Sequence, residues 1–357
     1  MSLLTKEQLK RMEKLSDITL FDDCTAPRGY IATGLPGFNY ITNESTKDGL
    51  PYPRMIELFG DPSHGKSTLG YYLLAQAQKQ GCHTMLIDNE GAFDQKQIVR
   101  NGIDAKSLIY VLPRSVMQTF HTISQMLPIL YPDKESEKYP LLILWDSIAA
   151  ASTGVLEAKK GKENDPCEIK SAPGEFARNM SRGLNLVTGP FNHYPITLIG
   201  LNQTRINLSG WKPTVDTPGG NAWKFYTSLR YQIKRREFIK NGNTKIGILS
   251  DILVAKNKMA PPGKLCSIPI YYKTGVDALQ ATLEMAKNHD VFSLRGGYYE
   301  LEGTLKRMDD WEALYRTDES FRNHITELLE IRLNSDGIEE VDVDAPTDDG
   351  EPEGDDD

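Results

Sequence analysis

The stretch that most restricts how this chain can fold is "RMIELFGDPSHGKSTLGYYLLAQAQ", which begins at Arg54. A short apolar run leads into Gly60, four further residues, then Gly65-Lys66-Ser67 and a helical stretch. A strand, a glycine loop and a helix in this order form a phosphate-binding loop, in which converging backbone amides and the helix start attract phosphate. Lys66 would reach the outer phosphates, and Ser67 can bind Mg²⁺. The stretch therefore predicts an α/β protein that holds a nucleoside triphosphate.

The rest of the chain alternates between strand and helix patterns in the way such a fold requires. Apolar runs such as "TMLID", "LIYVL", "LLILWDS" and "ITLIGLNQ" are separated by helical stretches between Met55 and Leu279. Strands and helices in alternation form βαβ units, which build a mainly parallel sheet. "RYQIKRREFI" and "SDILVAKNKM" look like neighbouring strands. From about residue 280 a helical pattern surrounds the β-like "RGGYYELEG", which predicts a second, small α+β unit.

Acidic residues end two further apolar runs. Asp146 closes "YPLLILWD". In a chain without a phosphate loop, Asp146 would be interpreted as an ordinary helix N-cap. Because this chain has such a loop, we favour a role for Asp146 in supporting Mg²⁺. "TMLIDNEGAFD" supplies Asp88, Glu90 and Asp94. Glu90 lies two residues beyond the strand end and is the candidate to orient water near the γ-phosphate, while Asp88 and Asp94 are assigned to a loop cap and an outer contact.

Charge is distributed unevenly along the chain. Residues 336–357 hold twelve Asp or Glu and no Lys or Arg, which leaves 37 of the 49 acidic residues against all 41 basic residues before them. A basic body with an acidic tail suggests an anion-binding domain beside a disordered polyanion, although a tail that only favours solubility fits the composition equally well. The four cysteines form no CxxC pair, which disfavours a zinc site, and the absence of a long apolar run favours the cytosol over a membrane.

Six motifs carry a resemblance to a known family. In order they are "GDPSHGKST", "IDNEGAFD", "LLILWDSIAA", "LIGLNQTR", "TPGGNAWKFYTSLRYQIKR" and "VAKNKMAPPGK". Their order and spacing are similar to those of the bacterial RecA recombinase family over residues 31–330, and "GGNAWKFY" and "KNKMAPP" are more specific than the phosphate loop. The resemblance implies a RecA-like P-loop ATPase core that uses ATP and Mg²⁺. Such a protein forms helical filaments on single-stranded DNA, pairs them with double-stranded DNA and works with single-strand binding protein and loading factors at the nucleoid. A bacteriophage could encode a divergent member of this kind.

The sequence patterns and the resemblance together divide the chain into parts. They predict an N-terminal oligomerisation segment (1–30), the ATPase core with its DNA-binding loops (31–279), a small C-terminal domain (280–334) and an acidic disordered tail (335–357).

Roles for single residues near the nucleotide follow from the same resemblance. Glu90 would activate water, and Gln203 would sense the γ-phosphate. Lys256 and Lys258 would reach the ATP of a neighbouring subunit; without the resemblance they would simply be one solvated strand face. The residues assigned to the nucleotide are Gly60, Asp61, Pro62, Ser63, His64, Gly65, Lys66, Ser67, Thr68, Asp94 and, at the subunit boundary, Phe225.

Two loops are expected to contact DNA. The first spans about residues 153–178, with Arg178 as a phosphate contact. The second is "NQTRINLSGWKPTVDTPGGNAWKF", whose irregular composition is unusual inside a compact domain. In this loop, Arg205 and the backbone amides of Gly219, Gly220 and Asn221 would contact phosphates. Leu208 would insert between bases. Trp211 would stack on a base or, equally well, pack on the protein.

The chain departs from the family at two points. Where the family stacks an aromatic side chain on adenine, this sequence has Gln97, which puts the base contact in doubt. His64 in the phosphate loop is unusual and is taken as a tolerated loop residue. Two other functions remain open: a hexameric helicase-type motor on the same core, and a non-catalytic DNA-binding mediator.

Overall fold

The computed structural model describes residues 27–91, 93–153, 174–207 and 214–336. Outside these ranges lie most of the predicted N-terminal segment, most of the first DNA loop, Leu208, Trp211 and most of the acidic tail.

The core is built from strands and helices in alternation. In chain order they are β1 (Gly29–Ile31), α1 (Pro36–Asn43), β2 (Leu50–Tyr52), β3 (Arg54–Gly60), α2 (Lys66–Lys79), β4 (His83–Asp88), α3 (Gln95–Asn101), β5 (Leu108–Val111), α4 (Val116–Leu130), β6 (Leu141–Asp146), α5 (Glu175–His193), β7 (Ile196–Gln203), β8 (Arg205–Asn207), β9 (Thr214–Asp216), α6 (Gly220–Tyr226), β10 (Leu229–Asn241), β11 (Thr244–Asn257), β12 (Leu265–Tyr271) and β13 (Gly275–Val276).

The central sheet of the described residues has nine strands in the order β13-β12-β11-β10-β3-β7-β6-β4-β5. The six strands from β10 to β5 run parallel, and β11 to β13 extend the sheet antiparallel. The mainly parallel sheet predicted from the sequence is confirmed. So is the pairing of "RYQIKRREFI" with "SDILVAKNKM", which form the β10–β11 hairpin.

Helices cover both faces of the sheet, and β6 shows why its sequence is apolar without a break. Leu142 and Leu144 pack in the cluster that contains α2 residues such as Leu69. The alternate residues of β6, such as Ile143, pack in a second cluster with Phe120 of α4 and residues of α5. A strand that is buried on both faces needs an apolar residue at every position.

The C-terminal unit contains α7 (Ala278–Asn288), β14 (Ser293–Arg295), β15 (Tyr298–Leu301), β16 (Thr304–Lys306), α8 (Met308–Thr317) and α9 (Glu319–Asp336). Its first helix begins two residues before the boundary expected at residue 280, because the Asp277 side chain accepts the Gln280 amide and caps the helix there. The unit is tied to the core by the Tyr40 hydroxyl of α1, which donates to the Leu333 carbonyl at 2.5 Å. Within the described ranges, every helix is too short or too polar to cross a membrane.

Candidate nucleotide and DNA site

Four parallel strands bring the predicted nucleotide residues to one edge of the sheet. Gly60 at the end of β3 is the register partner of Gln203 at the end of β7. Asp88 at the end of β4 is the partner of Asp146 at the end of β6. The carboxyl ends of parallel strands share an edge of the sheet. This edge, called the nucleotide edge below, therefore brings together the phosphate loop, both aspartates, Gln203 and the turn that carries Glu90.

The phosphate loop has its shape because two of its residues have no side chain. A Cβ at Gly60 would lie 2.1 Å from the Ile233 carbonyl oxygen of β10, and a Cβ at Gly65 would lie 2.4 Å from the Ile270 side chain of β12. Gly65 also has φ +93, a conformation that favours glycine. The close approach of β10 and β12 therefore fixes both glycines, and α2 begins at the next residue, Lys66.

The Lys66 amine folds back onto its own loop. Its Nζ donates to the carbonyl oxygens of Gly60 at 2.9 Å and Asp61 at 2.6 Å. Burial lowers the pKa of this amine, while the nearby carboxylates of Asp61, Asp146 and Glu90 act in the opposite direction. A half-buried cation bonded to carbonyl oxygens at the start of a helix is suited to exchange those contacts for phosphate oxygens.

Asp146 has the properties expected of a carboxylate that meets a cation. It is 5% exposed, and burial raises its pKa to about 6, although the hydroxyls of Tyr71 and Ser67 act in the opposite direction. Among the described residues no group of three His, Cys, Asp or Glu could hold a metal alone. Ser67 and Asp146 therefore fit Mg²⁺, which usually binds one or two protein oxygens together with nucleotide phosphates.

Asp88 organises the loop that carries Glu90. Its Oδ1 accepts the amides of Glu90 at 3.0 Å and Gly91 at 2.7 Å, and its Oδ2 accepts the Phe93 amide at 3.2 Å. The loop-cap prediction for Asp88 is confirmed. Glu90 is exposed, and its Oε1 accepts the Ser147 hydroxyl at 2.7 Å, directly after Asp146.

The side chains of Asp94 and His64 contact groups outside the phosphate loop. The Asp94 side chain accepts the Gln97 amide and caps α3. His64 Nδ1 lies 3.4 Å from the Ile233 carbonyl oxygen, and burial lowers the pKa of its imidazole. The Gln97 side chain accepts from Arg100. The assignment of Asp94 to the nucleotide stays a prediction, and its carboxylate already has a structural partner.

The predicted second DNA loop is anchored beside the phosphate loop at its start. The Thr204 hydroxyl hydrogen-bonds to the Asp61 carboxylate. Asn202 donates to the Glu57 carboxylate at 2.8 Å and to the Pro218 carbonyl at 2.7 Å, so one buried amide joins β7 to β3 and to the far end of the loop.

The end of the same loop is held by β10. Arg230 pairs with the fully buried Glu57 at 2.5 Å and donates to the Thr217 hydroxyl at 3.3 Å. Between the two ends, β8 and β9 pair in register from Arg205↔Asp216 to Asn207↔Thr214. Both ends of the segment are therefore fixed to the strands that form the nucleotide edge.

The predicted DNA contacts that are described lie around the start of α6. Arg205 and Asn221 are exposed, and so is Arg178 in the first turn of α5. Gly220 packs against α5, because a Cβ there would lie 2.8 Å from that of Ala177. Gly219 is buried under Trp223. Packing alone thus accounts for the glycine pair, and its DNA role stays a prediction.

Lys256, Lys258 and Phe225 form a second group, the lysine patch. Lys256 Nζ donates to the carbonyls of Lys224 at 2.5 Å and Thr227 at 2.8 Å, and Lys258 Nζ donates to the Phe225 carbonyl at 3.0 Å. Both amines therefore sit at the C-terminal end of α6, where a helix attracts cations. Burial, followed by the charge of Lys258, lowers the pKa of Lys256. The Phe225 ring is 72% exposed.

The lysine patch lies too far from the phosphate loop of its own chain to touch it. The Lys258 amide donates to the Ser228 carbonyl, and the Ser228 amide donates to the Met55 carbonyl. Met55 precedes Gly60 by five residues of β3, which is about 16 Å of strand. The two groups of predicted nucleotide residues are thus at different ends of the same strand.

Sequence reasoning missed three side chains at the nucleotide edge. Tyr71, Ser147 and Thr204 each contact a predicted site residue through a hydroxyl group. Ser147 and Thr204 adjoin predicted residues, and Tyr71 lies four residues after Ser67 on the same helix. This spacing could have predicted the position of Tyr71, because residues at i and i+4 share a helix face.

The fold and this edge define a member of the P-loop class with a mainly parallel sheet. The family described as "RecA N-terminal domain" matches residues 29–277. Protein RecA of Prochlorococcus marinus is 29% identical over 299 residues, which cover 80% of this chain and 75% of the relative. The Protein RecA of Parasynechococcus marenigrum and that of a Synechococcus species are each 30% identical over 298 residues, 80% of this chain and 76% of each relative. The chain belongs to the RecA family.

Proposed function

We propose that this protein is a DNA-dependent ATPase that forms helical filaments on single-stranded DNA and catalyses homologous pairing and strand exchange with double-stranded DNA. The observation that carries the proposal is the separation of the phosphate loop from the lysine patch along β3. A nucleotide on the loop can meet Lys256 and Lys258 only if another subunit supplies them, so the complete site forms between neighbouring subunits.

ATP binding uses groups that already converge. Loop amides and Lys66 take the phosphates, and Lys66 exchanges the carbonyls of Gly60 and Asp61 for phosphate oxygens. Ser67 and Asp146 would hold Mg²⁺, which neutralises charge that develops on the phosphates during hydrolysis. A cation beside Asp146 also offsets the free-energy cost of burying a carboxylate that has no cationic partner. The metal that accompanies ATP would therefore bind more tightly at this carboxylate.

Hydrolysis needs a water molecule aligned with the γ-phosphate. Glu90 accepts a proton from that water or orients it, and the Ser147 hydroxyl limits the positions of the Glu90 carboxylate. Lys256 and Lys258 of the adjacent subunit act on the leaving phosphates in the manner of an arginine finger. The exposed Phe225 ring lies beside them and packs at the subunit boundary.

DNA binding is coupled to the nucleotide through the start of the second DNA loop. Gln203 is the register partner of Gly60, and Thr204 hydrogen-bonds to Asp61. A γ-phosphate that displaces Lys66 from the Asp61 carbonyl therefore acts on a residue bonded to this loop. Arg205 follows directly and contacts DNA phosphates, as do Arg178 and the amides from Gly219 to Asn221.

The test has two measurements. ATP hydrolysis is measured with and without single-stranded DNA, and a strong stimulation by DNA is expected. Negative-stain imaging with a non-hydrolysable ATP analogue should then show open helical filaments on the DNA. Closed rings would favour a helicase-type motor instead. Equal rates of ATP hydrolysis with and without DNA would contradict the proposal.

A single variant tests the alternative of a non-catalytic mediator. Glu90→Gln should bind nucleotide and DNA but lose hydrolysis, because the amide cannot take up a proton. Hydrolysis at the wild-type rate in this variant would mean that the site does not perform the proposed chemistry.

A further inference from the structure

Tyr71 contacts Asp146 from the middle of α2. Its hydroxyl donates to Asp146 Oδ2 at 2.8 Å. Both side chains are almost fully buried, with 4% of Tyr71 and 5% of Asp146 exposed. A buried hydroxyl bonded to a desolvated carboxylate makes a charge-assisted hydrogen bond, which is stronger than one between neutral groups.

The position of Tyr71 on α2 places it over the same carboxyl group as Ser67. The two residues are four apart, so they lie on one face of the helix. The Ser67 hydroxyl also lies near the Asp146 carboxyl group and acts to lower its pKa. One helix face therefore presents two hydroxyls to Asp146, one in the phosphate loop's first helical turn and one a turn deeper.

Aromatic contacts fix the Tyr71 ring. Its centroid lies 5.1 Å from that of Phe93, which lies 5.8 Å from that of Tyr110. The Tyr110 hydroxyl donates to Asp88 Oδ2 at 2.8 Å. The two aspartates at the strand ends thus each receive one tyrosine hydroxyl from the same row of rings.

The two tyrosine bonds differ in what else holds the carboxylate. Asp88 accepts three backbone amides as well as Tyr110. Its orientation does not depend on the tyrosine. Among the described donors, the Asp146 carboxylate accepts one hydrogen bond, from the Tyr71 hydroxyl. The Ser67 hydroxyl lies near the same carboxylate, and Ser67 is one of the residues that would turn to the metal.

We propose that Tyr71 is a positioning residue that holds the Asp146 carboxylate in the orientation needed for Mg²⁺. The proposal rests on the proposed metal role of Asp146. When Ser67 binds the ion, the Tyr71 hydroxyl is the donor that remains on Asp146 Oδ2 and prevents the carboxylate from rotating. Partners of this kind, which orient a ligand without touching the metal, typically change metal affinity 10- to 100-fold.

The test compares Tyr71→Phe with Tyr110→Phe. Each variant removes one hydroxyl from an aspartate and keeps the aromatic ring and its neighbours. Mn²⁺ binding is measured by electron paramagnetic resonance with a non-hydrolysable ATP analogue, so that the result does not depend on hydrolysis. Nucleotide affinity in the presence of a chelator and the thermal unfolding midpoint are measured for each protein.

Tyr71→Phe should weaken Mn²⁺ binding about tenfold, with metal-free nucleotide affinity unchanged. Excess Mg²⁺ should restore most of its hydrolysis rate. Tyr110→Phe should bind Mn²⁺ as the wild type does. Unchanged Mn²⁺ affinity in Tyr71→Phe, or an equal loss in both variants, would overturn the proposal.

Asp146→Asn separates this proposal from the function on which it rests. If Asp146→Asn also binds Mn²⁺ normally, the metal role of Asp146 itself fails. If Asp146→Asn loses Mn²⁺ and Tyr71→Phe does not, only the positioning role of Tyr71 is wrong.

Discussion

The nucleotide edge and the lysine patch are built in opposite ways. The edge consists of strand ends and a helix start, and its key groups, such as Asp146, are buried and already joined to one another. The patch consists of two amines bound to backbone carbonyls, beside a ring that is 72% exposed. The edge is thus organised by its own fold, whereas the patch is an incomplete surface whose partners can be exchanged. The difference agrees with the proposal that one subunit contributes the scaffold and the next contributes the charge.

The largest effect should come from the nucleotide edge. Lys66→Ala should abolish ATP hydrolysis, because no other described amine lies at the phosphate loop's carbonyls. Colorimetric phosphate release measures the loss, and Lys79→Ala at the far end of α2 is the matched control that should retain full activity. Residual hydrolysis above a tenth of the wild-type rate would contradict the role of Lys66.

Mixing two inactive variants tests whether the patch acts between subunits. Lys258→Ala should hydrolyse ATP at least a hundredfold more slowly than wild type, since a charge that stabilises the transition state is lost. A one-to-one mixture with Lys66→Ala should recover about a quarter of the activity, because random head-to-tail association produces that fraction of interfaces with both groups intact. A mixture that stays inactive would place the lysine's action within its own subunit.

The buried carboxylate makes stability depend on pH. The folded pKa of Asp146 is about 6, above the ordinary value of 3.8 for aspartate, so the folded state binds the proton more tightly, and this stabilisation is lost as pH rises through 6. Without Mg²⁺, Asp146→Asn should match wild type near pH 4 and exceed its unfolding free energy above pH 6 by up to about 3 kcal/mol. Urea unfolding with a chelator measures both, and a difference that does not change with pH would contradict the burial argument.

A smaller effect is expected at the junction of the edge and the second DNA loop. Thr204→Val removes the hydroxyl bonded to Asp61 and keeps the side chain's shape. DNA-stimulated hydrolysis should fall several-fold while hydrolysis without DNA stays the same, and Thr204→Ser should behave as wild type. Equal loss with and without DNA would mean that the contact supports the phosphate loop alone.

The smallest effect belongs to the acidic tail. Deletion after Ser335 removes twelve acidic residues and should tighten DNA binding at low salt. The gain should disappear as salt screens the charges. Fluorescence anisotropy at several salt concentrations measures it, and an affinity that is unchanged throughout would leave the tail a role in solubility only.

The sequence predicted which strand ends meet at the nucleotide edge, because the signals for them are local. A glycine loop between strand and helix, and acids directly after apolar runs, fix which strand ends must meet. It did not predict the Tyr71 bond to Asp146, since that contact depends on how α2 rotates over β6. Similarly, Gly219 and Gly220 matched a motif assigned to DNA, whereas their packing on Trp223 and Ala177 becomes visible only when α5 and α6 are placed together.

The pairing of β8 with β9 has a consequence for how such a protein can diversify. The pair closes the segment at Asn207 and Thr214, so the six residues from 208 to 213 connect two ends that are already held. A loop tip on a closed stem tolerates replacement or insertion without moving its base. Under the proposed function, residues 208–213 can therefore be replaced, and the preference for DNA sequence or structure can change while the residues at the nucleotide edge stay the same.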